Sequence, residues 1–325
     1  MERLYPFKFK KVFKEKVWGG RGFEKSFEMT LPTEDSYGES WEVSSRKNEM
    51  SVIENGRLEG KTLEELFSDY KGNFVGEKVY HKYGGKFPLL IKYLDINDRL
   101  SVQVHPNDEY ALRVEGEFGK SESWYIMEAS SDAKLIMGFK EGMTKKLFME
   151  KTKNKNFNDL FNIISIKKGD FINVTPGLVH ASLEGSILIC EVQQNSDITY
   201  RIYDFDRLID GELRELHLDK AMEVIDYETI PQINTDQNRK NVEVNGGTKQ
   251  EIIRGKYFNI DKFLLEKKFE DTNRDSFMIY SILEGEGNLN CDGVAYSIKK
   301  GETWYIPPKL NIEIEGELEI LKTFM

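Results

Sequence analysis

One pattern that occurs twice constrains the fold of this chain more than any other feature. The first copy, Ile166-Lys-Lys-Gly-Asp-Phe-Ile-Asn-Val-Thr-Pro, is followed 132 residues later by a second, Ile298-Lys-Lys-Gly-Glu-Thr-Trp-Tyr-Ile-Pro-Pro. In each copy a glycine turn separates two apolar runs and a proline ends the second run, which predicts a β-hairpin. Its recurrence predicts that two similar β-units follow one another along the chain.

The remainder of the chain also favours strands. Short runs of β-branched, aromatic and aliphatic residues are bounded by turn residues, which is typical of an antiparallel sandwich or barrel. These runs begin at Leu89, Leu100, Trp124, Lys134, Ile163, Ile187 and Phe277. Helices are predicted at Thr62–Phe67, from Met143 to about Leu160, and at Leu218–Val224. We therefore expect a mainly β fold with a few peripheral α-helices.

Composition and charge exclude several classes of protein. The chain has 325 residues, 39% of them hydrophobic and 12% aromatic, which is enough for one large or two ordinary packed domains and excludes global disorder. It has no apolar run of about 18 residues and no apolar stretch typical of a secretory signal, so we expect a soluble cytoplasmic protein without membrane partners. A formal net charge of -10 argues against a nucleic-acid partner.

Two separate stretches together contain the ligands for one metal ion. Gln103 and His105 are two residues apart in a predicted strand, so their side chains point to the same face. Glu122 shares a strand face with Trp124, where a carboxylate needs a buried partner such as a cation. His180 follows the strand and Pro-Gly turn of the first repeat copy. Two imidazoles, one carboxylate and one amide oxygen would give four nitrogen and oxygen ligands.

The alternative for each of these histidines is a hydrogen-bonded core or surface position. The chain has four histidines, and the other two have no comparable neighbours. We expect His81 in a surface loop and His217 at the start of a helix. The cysteines, Cys190 and Cys291, lie in strand-like runs and are expected to be reduced core residues.

Four motifs resemble, in order, those of the type I mannose-6-phosphate isomerases, and the match is closest to their short bacterial form. The motifs are Ser101-Val-Gln-Val-His-Pro-Asn-Asp, Gly119-Lys-Ser-Glu-Ser-Trp-Tyr, Pro176-Gly-Leu-Val-His-Ala and Gln194-Asn-Ser-Asp-Ile-Thr-Tyr-Arg. Four ordered motifs are more specific than any single one. The resemblance implies a cupin fold and a zinc enzyme that interconverts mannose 6-phosphate and fructose 6-phosphate. It carries over Gln103, His105, Glu122 and His180 as the zinc ligands.

Together, the repeat and the resemblance predict two cupin-type jelly-roll barrels or sandwiches. Residues 1–230 are expected to form the catalytic domain with helical insertions, and residues 231–255, which are polar, a linker or long excursion. Residues 256–325 are expected to form a degenerate second domain, with which the N-terminal strand could pair. In the register of the repeat, Ile312 stands where the first copy has His180, so the second domain is expected to lack metal ligands. We expect a monomer or homodimer.

A net negative chain needs a local group of cations to bind a sugar phosphate. The family motifs place Ser101, Lys120, Arg201 and Arg207 at matching positions, and an arginine fork pairs well with phosphate oxygens. From the residues alone, Arg201 could instead form an ion pair with Asp197 or Asp204, and Lys120 and Arg207 could be solvated surface residues.

Aldose–ketose isomerisation also needs a group that moves a proton between C1 and C2. Lys120, Glu191, Arg201 and a metal-bound hydroxide are the candidates. We favour Arg201 for substrate positioning and Lys120 as the acid or base, with Glu191 as an alternative that could instead orient a ligand.

Two N-terminal signatures of the family, Trp18-Gly-Gly and Gly38-Glu-Ser-Trp-Glu, are present as well. Trp18 and Trp41 are expected in the core, and Glu39 at the mouth of the site. One departure is Ser182, where longer members of the family carry a tyrosine, so any role of that tyrosine must be absent here or come from another residue.

Two other functions fit part of the pattern. His105, His180 and Glu122 alone have the composition of the metal triad of non-haem iron(II) oxygenases, some of which are cupins. Gln103 as a fourth ligand and Arg201 as a phosphate partner argue against that reaction. A non-catalytic sugar-binding cupin is the second alternative, and it predicts binding without turnover.

Overall fold

The strands dominate the computed structural model, which describes residues 3–154, 157, 159–209, 211–235 and 239–325. In chain order they are β1 Phe7–Lys8, β2 Val12–Gly20, β3 Tyr37–Val43, β4 Ser45–Arg46, β5 Glu49–Met50, β6 Leu89–Ile96, β7 Val102–Val104, β8 Glu122–Ala129, β9 Lys134–Phe139, β10 Phe161–Ser165, β11 Phe171–Val174, β12 His180–Glu184, β13 Ile187–Gln194, β14 Tyr200–Tyr203, β15 Leu208–Ile209, β16 Glu212–Leu213, β17 Gln232–Asn234, β18 Asn241–Val244, β19 Gly247–Arg254, β20 Asn259–Leu265, β21 Phe269–Thr272, β22 Met278–Cys291, β23 Val294–Lys299, β24 Thr303–Ile306 and β25 Asn311–Phe324. The prediction of a mainly β fold is confirmed.

The helices are short and lie between strands. They are α1 Gly22–Phe27, α2 Leu63–Tyr70, α3 Gly72–Val75, α4 Glu77–Tyr83, α5 Asp108–Val114, α6 Lys145–Lys153 and α7 Leu218–Val224, with one turn of 3-10 helix at Gly56–Leu58. At α2 the hydroxyl of Thr62 accepts a hydrogen bond from the backbone N–H of Glu65, whose carboxylate accepts one from the N–H of Thr62. This reciprocal capping box is the local signal from which the helix is predicted.

Two helix predictions need correction. The helix predicted from Met143 to about Leu160 spans only Lys145–Lys153; residues 155, 156 and 158 of that prediction lie outside the described residues. Asp159 has a left-handed backbone (φ 60°), which cannot continue a helix into β10. His81 is exposed as predicted, but it lies in α4 rather than in a loop.

Two sheets of the N-terminal part face each other. The seven-stranded sheet has the order β17-β11-β8-β13-β6-β3-β2, and the five-stranded sheet has the order β10-β9-β12-β7-β14. A buried cluster that includes Trp124, Ile126, Leu135 and Ile189 draws on both sheets. A second cluster, which includes residues of α6 and α7, covers the other face of the five-stranded sheet. The layers thus leave the ends of β7, β8 and β12 beside one another.

The two copies of the repeat have the same backbone pattern, although neither is a hairpin. β10 pairs with β9 while β11 pairs with β8, and β23 and β24 both pair with β22 rather than with each other. In both copies the turn glycine donates its N–H to an isoleucine carbonyl, Gly169 to Ile126 and Gly301 to Ile282. The hairpin prediction is therefore wrong in its pairing, because strand partners are chosen by tertiary packing.

The C-terminal strands form one nine-stranded sheet, which β1 joins through β24. Residues 241–254, which belong to the predicted linker or long excursion, form the hairpin β18–β19 at the edge of this sheet. The largest buried cluster contains Phe7, Tyr93, Ile279 and Tyr305, so it joins the N-terminal strands to this sheet. Among the residues described, no helix has the length and apolarity needed to cross a membrane.

Candidate metal centre

The predicted ligands lie on two facing sheets. Gln103 of β7 and His180 of β12 are directly opposite each other in the five-stranded sheet, and His105 comes directly after β7. Glu122 is the first residue of β8 in the seven-stranded sheet. The rings of His105 and His180 are 4.9 Å apart between centroids. Sheet packing therefore brings together side chains that are far apart in sequence.

The possible ligand atoms point at one another. Nε2 of His180 lies 3.3 Å from Oε1 of Glu122, and Nε2 of His105 lies 3.5 Å from Oε2 of the same carboxylate. The amide nitrogen of Gln103 is 3.3 Å from Nε2 of His180. His105, Glu122 and His180 are all buried, and one ligand atom from each lies within 4.8 Å of the others.

The hydrogen bonds of the two imidazoles fix which nitrogen of each ring carries the proton. Nδ1 of His105 is 2.8 Å from the carbonyl oxygen of Ile198, and Nδ1 of His180 is 2.9 Å from that of Leu178. A carbonyl only accepts, so each Nδ1 carries the proton and, in the neutral ring, each Nε2 carries a lone pair. Both lone pairs then face Glu122, whose Oε2 is buried without a hydrogen bond. Such an arrangement of acceptors fits a cation, and these donor atoms are ones that zinc binds.

Gln103 adds a further group to this cluster. A half-turn of the terminal bond exchanges the amide oxygen and nitrogen of Gln103. The side chain can therefore direct either its acceptor oxygen or its donor nitrogen towards Nε2 of His180. Oγ of Ser101 lies 3.5 Å from Oε1 of Gln103.

Lys120 sets the charge balance beside these groups. Its Nζ lies 3.1 Å from Oε2 of Glu122 and 3.4 Å from Nε2 of His105, and it is buried. Burial and the ammonium charge of Lys120 lower the pKa of His105 to about 3. Burial alone would raise the pKa of Glu122, but Lys120 and His105 hold it well below its usual range. At neutral pH, therefore, His105 is uncharged and Glu122 ionised, which are the states that metal ligands require.

A cavity of about 540 Å³ opens beside this cluster. Its lining includes the predicted residues Glu39, Ser101, Gln103, Lys120, Glu122, Glu191 and Arg201, together with Lys16, Trp18, Lys92, Trp124, Asp197, Thr199, Ile209 and Arg214. His105 and His180 are not among the residues that line it. The cavity thus adjoins the candidate metal ligands and contains side chains of both charges.

The two predicted arginines differ in their surroundings. Nη1 of Arg201 donates to the carbonyl of Glu215 at 2.8 Å, and its Nε is buried without a hydrogen-bond partner among the residues described. Arg207 lies outside the cavity lining and is bound by its own partners. It donates to Asp204 at 2.9 Å and to the carbonyl of Arg99 at 2.7 Å, and it lies 3.4 Å from Asp98.

A row of buried charged residues, Glu39, Lys92 and Glu191, lines one side of the cavity, and Lys92 is not predicted as a site residue from the sequence. The indole N–H of Trp124 donates to Glu191 at 3.1 Å. Nζ of Lys92 lies 3.7 Å from Glu191 and 3.7 Å from Glu39. Burial and the nearby charge of Glu122 raise the pKa of Glu191 to about 7. Lys92 could have been noticed as a charged residue inside the apolar run that begins at Leu89.

The other residues predicted from the sequence are not part of the metal group formed by His105, Glu122 and His180. Cys190 and Cys291 are buried free thiols, and burial raises the pKa of Cys190 to about 12. His217 is the N-cap residue of α7, as predicted, and its Nδ1 accepts a hydrogen bond from the backbone N–H of Arg201. Ser182 is buried on β12.

Comparison with known proteins identifies the family. A model described as phosphomannose isomerase type I, catalytic domain, matches residues 6–126, and one described as mannose-6-phosphate isomerase, cupin domain, matches residues 248–325. The mannose-6-phosphate isomerase ManA of Bacillus subtilis is 39% identical over 319 residues, which cover 97% of this chain and 98% of that protein. The chain belongs to the type I mannose-6-phosphate isomerase family. The resemblance predicted from the four motifs is therefore confirmed.

Other family members agree with this assignment. A mannose-6-phosphate isomerase of Streptococcus mutans is 34% identical over 309 residues, which cover 94% of each chain. The crystal structure of the mannose 6-phosphate isomerase from Bacillus subtilis superposes with a TM-score of 0.89 at 34% identity and covers 98% of this chain and 99% of that one. Structures of phosphomannose isomerase from Salmonella typhimurium share the fold, with a TM-score of 0.76 at 15% identity for one of them.

Proposed function

We propose that this chain catalyses the reversible isomerisation of mannose 6-phosphate and fructose 6-phosphate with one divalent metal ion, zinc, per chain. The observation that carries the proposal is the convergence of the Nε2 lone pairs of His105 and His180 on the carboxylate of Glu122, beside a cavity whose lining includes Lys120 and Arg201. The names of the full-length relatives support the same reaction.

Four residues are proposed to hold the metal: Gln103, His105, Glu122 and His180. Only Glu122 brings a negative charge, so a divalent ion bound here keeps a net positive charge. When bound, the ion supplies a Lewis acid for the negative charge that develops on the oxygens at C1 and C2. The backbone carbonyls of Ile198 and Leu178 orient the two imidazoles through their Nδ1 protons.

The phosphate is proposed to bind to Arg201 and Lys120, with Ser101 as a nearby hydroxyl. Arg201 offers a buried donor, Nε, that has no acceptor among the described residues, and an arginine fork suits a phosphate. Arg207 is engaged by Asp204 and Asp98. For Arg207 we therefore propose an indirect role: it forms an ion pair with Asp204 and does not itself contact the phosphate.

Proton transfer between C1 and C2 is proposed to use Lys120. Its Nζ is buried beside Glu122 and His105 and the residue lines the cavity, so a sugar held at the metal would lie next to this acid or base. Arg201 is proposed to position the substrate. Glu191 accepts a hydrogen bond from Trp124, whose ring packs edge-on against His180 with centroids 5.5 Å apart. We propose that Glu191 acts through this contact to hold His180 in place.

The proposed organisation of the chain follows from the same reasoning. We propose that residues 1–230 form the catalytic cupin domain and residues 256–325 a second jelly roll without metal ligands. The linker or excursion proposed for residues 231–255 would then be the part of the chain that includes β17, β18 and β19. A cytoplasmic location, a monomeric or dimeric state and the absence of nucleic-acid partners remain predictions from the sequence.

The test is metal removal and restoration. We expect the protein to convert mannose 6-phosphate, to lose this activity after dialysis against a chelator, and to regain it on addition of zinc. Activity that is indifferent to both treatments would refute the metal mechanism. Oxygen uptake after loading with iron(II), without sugar-phosphate conversion, would favour an oxygenase. Binding of mannose 6-phosphate without turnover in the zinc-loaded protein would favour a binding cupin.

A further inference from the structure

Two arginines of the segment between β14 and α7, Arg207 and Arg214, form ion pairs with one buried carboxylate, Asp204. Asp204 is 4% exposed. Its Oδ1 accepts a hydrogen bond from Arg207 at 2.9 Å, and its Oδ2, which has no hydrogen bond, lies 3.6 Å from Nη1 of Arg214. Arg201 has no ion pair to this carboxylate within 4.0 Å among the described residues. This one carboxylate therefore pairs with two guanidinium groups, and the guanidinium of Arg201 is left outside that arrangement.

A second carboxylate, that of the more exposed Asp98, forms an ion pair with Arg207. Asp98 lies 3.4 Å from Nη1 of Arg207, and the carbonyl of Arg99 accepts a second bond from the same guanidinium. Arg207 thus makes three hydrogen bonds away from the cavity, although its Nε, like that of Arg201, is buried without a hydrogen-bond partner among the described residues. The positive charges of Arg201 and Arg214 are less well neutralised: Arg214 has one long ion pair, with Asp204, and Arg201 has none among the described residues.

Both of these arginines line the cavity that adjoins the candidate metal ligands. Nε of Arg201 is buried and has no hydrogen-bond partner among the residues described. The side chain of Arg214 is 29% exposed and reaches Asp204 only at the 3.6 Å distance of a long ion pair. A buried donor without an acceptor is costly, and two neighbouring like charges repel each other.

The electrostatics agree with this geometry. Burial, followed by the charge of Arg214, lowers the pKa of Arg201 from its ordinary value. An anion between the two guanidinium groups would relieve the repulsion and satisfy the free donors. A phosphate group fits, because it carries up to two negative charges and accepts bidentate hydrogen bonds from an arginine fork.

We infer that Arg214 binds the substrate phosphate together with Arg201 and is a specificity-determining residue that favours phosphorylated over unphosphorylated sugar. Nothing in the four sequence motifs points to Arg214, since it lies after the last motif, in the loop between β16 and α7. The identity of the sugar rests on the proposed function, whereas the anion-binding role of Arg214 rests on the geometry.

The test compares Arg214→Met, which removes the charge and keeps an unbranched stem, with Arg214→Lys, which keeps the charge and loses the fork. For Arg214→Met we expect the KM for mannose 6-phosphate to rise by about tenfold or more, as for the loss of a charge-assisted hydrogen bond. The inhibition constant of inorganic phosphate should rise in parallel, while kcat changes less and zinc content is kept. Arg214→Lys should fall between this variant and the unaltered protein.

A matched control is Arg113→Met on the exposed surface of α5, which causes the same change in net charge and should alter neither constant. If the unaltered protein converts mannose 6-phosphate and Arg214→Met changes neither KM nor phosphate inhibition, the role of Arg214 is overturned and the proposed function stands. If the unaltered protein is inactive, the proposed function fails. Calorimetric titration with inorganic phosphate then decides on Arg214, since equal affinity in both proteins would overturn its role. Should Arg214→Met not fold, Arg214→Gln gives the same readouts.

Discussion

Met278 occupies in the C-terminal sheet the position that Glu122 occupies in the N-terminal one. Glu122 of β8 pairs with Val174 at the end of the first repeat copy, and Met278 of β22 pairs with Ile306 at the end of the second. Val174 and Ile306 are separated by the same interval as the two copies of the repeat. The carboxylate at the centre of the candidate metal group is thus replaced by a thioether where Ile312 replaces His180.

This correspondence predicts different outcomes for two substitutions. Glu122→Gln keeps the shape of the side chain but removes the only charged ligand, so we expect zinc affinity to fall by about 100-fold or more. Met278→Leu changes a fully buried side chain with little change of volume, and we expect a loss of less than about 1.5 kcal/mol in the free energy of unfolding. Zinc content by atomic absorption and urea unfolding measure the two effects. Full zinc binding by the Glu122→Gln protein would exclude Glu122 as a ligand.

Acid should weaken the fold through Glu39. Burial would raise the pKa of this carboxyl, but the ammonium groups of Lys92 and Lys16 lower it from 4.5 to about 2. The unfolded chain therefore binds a proton more readily than the folded one between pH 4.5 and 2. The contribution of Glu39, about 3 kcal/mol, is complete at neutral pH and is lost as the pH falls through this window.

The Glu39→Gln variant tests this contribution. It should be less stable than the unaltered protein at pH 7, and the difference should shrink as urea unfolding is repeated at steps from pH 5 towards pH 3. Lys16→Gln serves as a comparison. Lys16 is 36% exposed, whereas Lys92 is 5% exposed, so solvent screens the Lys16–Glu39 pair more strongly. Lys16→Gln should therefore lower the free energy of unfolding at pH 7 by less than Glu39→Gln does. A difference that stays constant with pH would contradict the assigned shift.

Glu191 should report metal binding through Trp124. Without a bound cation, burial and the charge of Glu122 raise the pKa of Glu191 to about 7, and the Trp124 indole donates to this carboxyl. Tryptophan fluorescence of the chelator-treated protein should therefore change with a midpoint near pH 7. Zinc offsets the charge of Glu122, which favours the ionised carboxylate, so the midpoint should move to lower pH. Glu191→Gln should remove the transition in both states, and a transition that persists would assign it to another group.

Much of the candidate site could be predicted from the sequence because its signals are local. The alternation of Gln103 and His105 along a strand, and the turn before His180, are set within a few residues. Glu122 was recognisable as a carboxylate among apolar neighbours. The capping box at Thr62 and Glu65 likewise identified α2 from four residues.

The features that escaped prediction depend on contacts between distant segments. β10 and β11 join different sheets, so each pairs with a strand outside the repeated pattern. The pattern itself shows only two strands and a turn, which is why it predicts a hairpin. Lys92 belongs to the cavity only because β6 is placed beside β3 and β13. Arg214 reaches the cavity from a loop whose sequence has no motif.

The last prediction concerns β1, which ties the N-terminus to the C-terminal sheet. Phe7 pairs with Tyr305 and is fully buried, and its ring lies 6.1 Å from that of Phe74 and 6.3 Å from that of Tyr305. Phe7→Ala should lower the free energy of unfolding by about 3 to 5 kcal/mol, since the cavity left by the ring cannot collapse among packed neighbours. Lys10→Ala, at an exposed position nearby, should change it by less than about 0.5 kcal/mol. Urea unfolding measures both changes. Because Phe7 is not part of the cavity lining, the KM of the Phe7→Ala protein at low temperature should stay unchanged. Equal stability of the two variants would show that β1 contributes little to holding the sheets together.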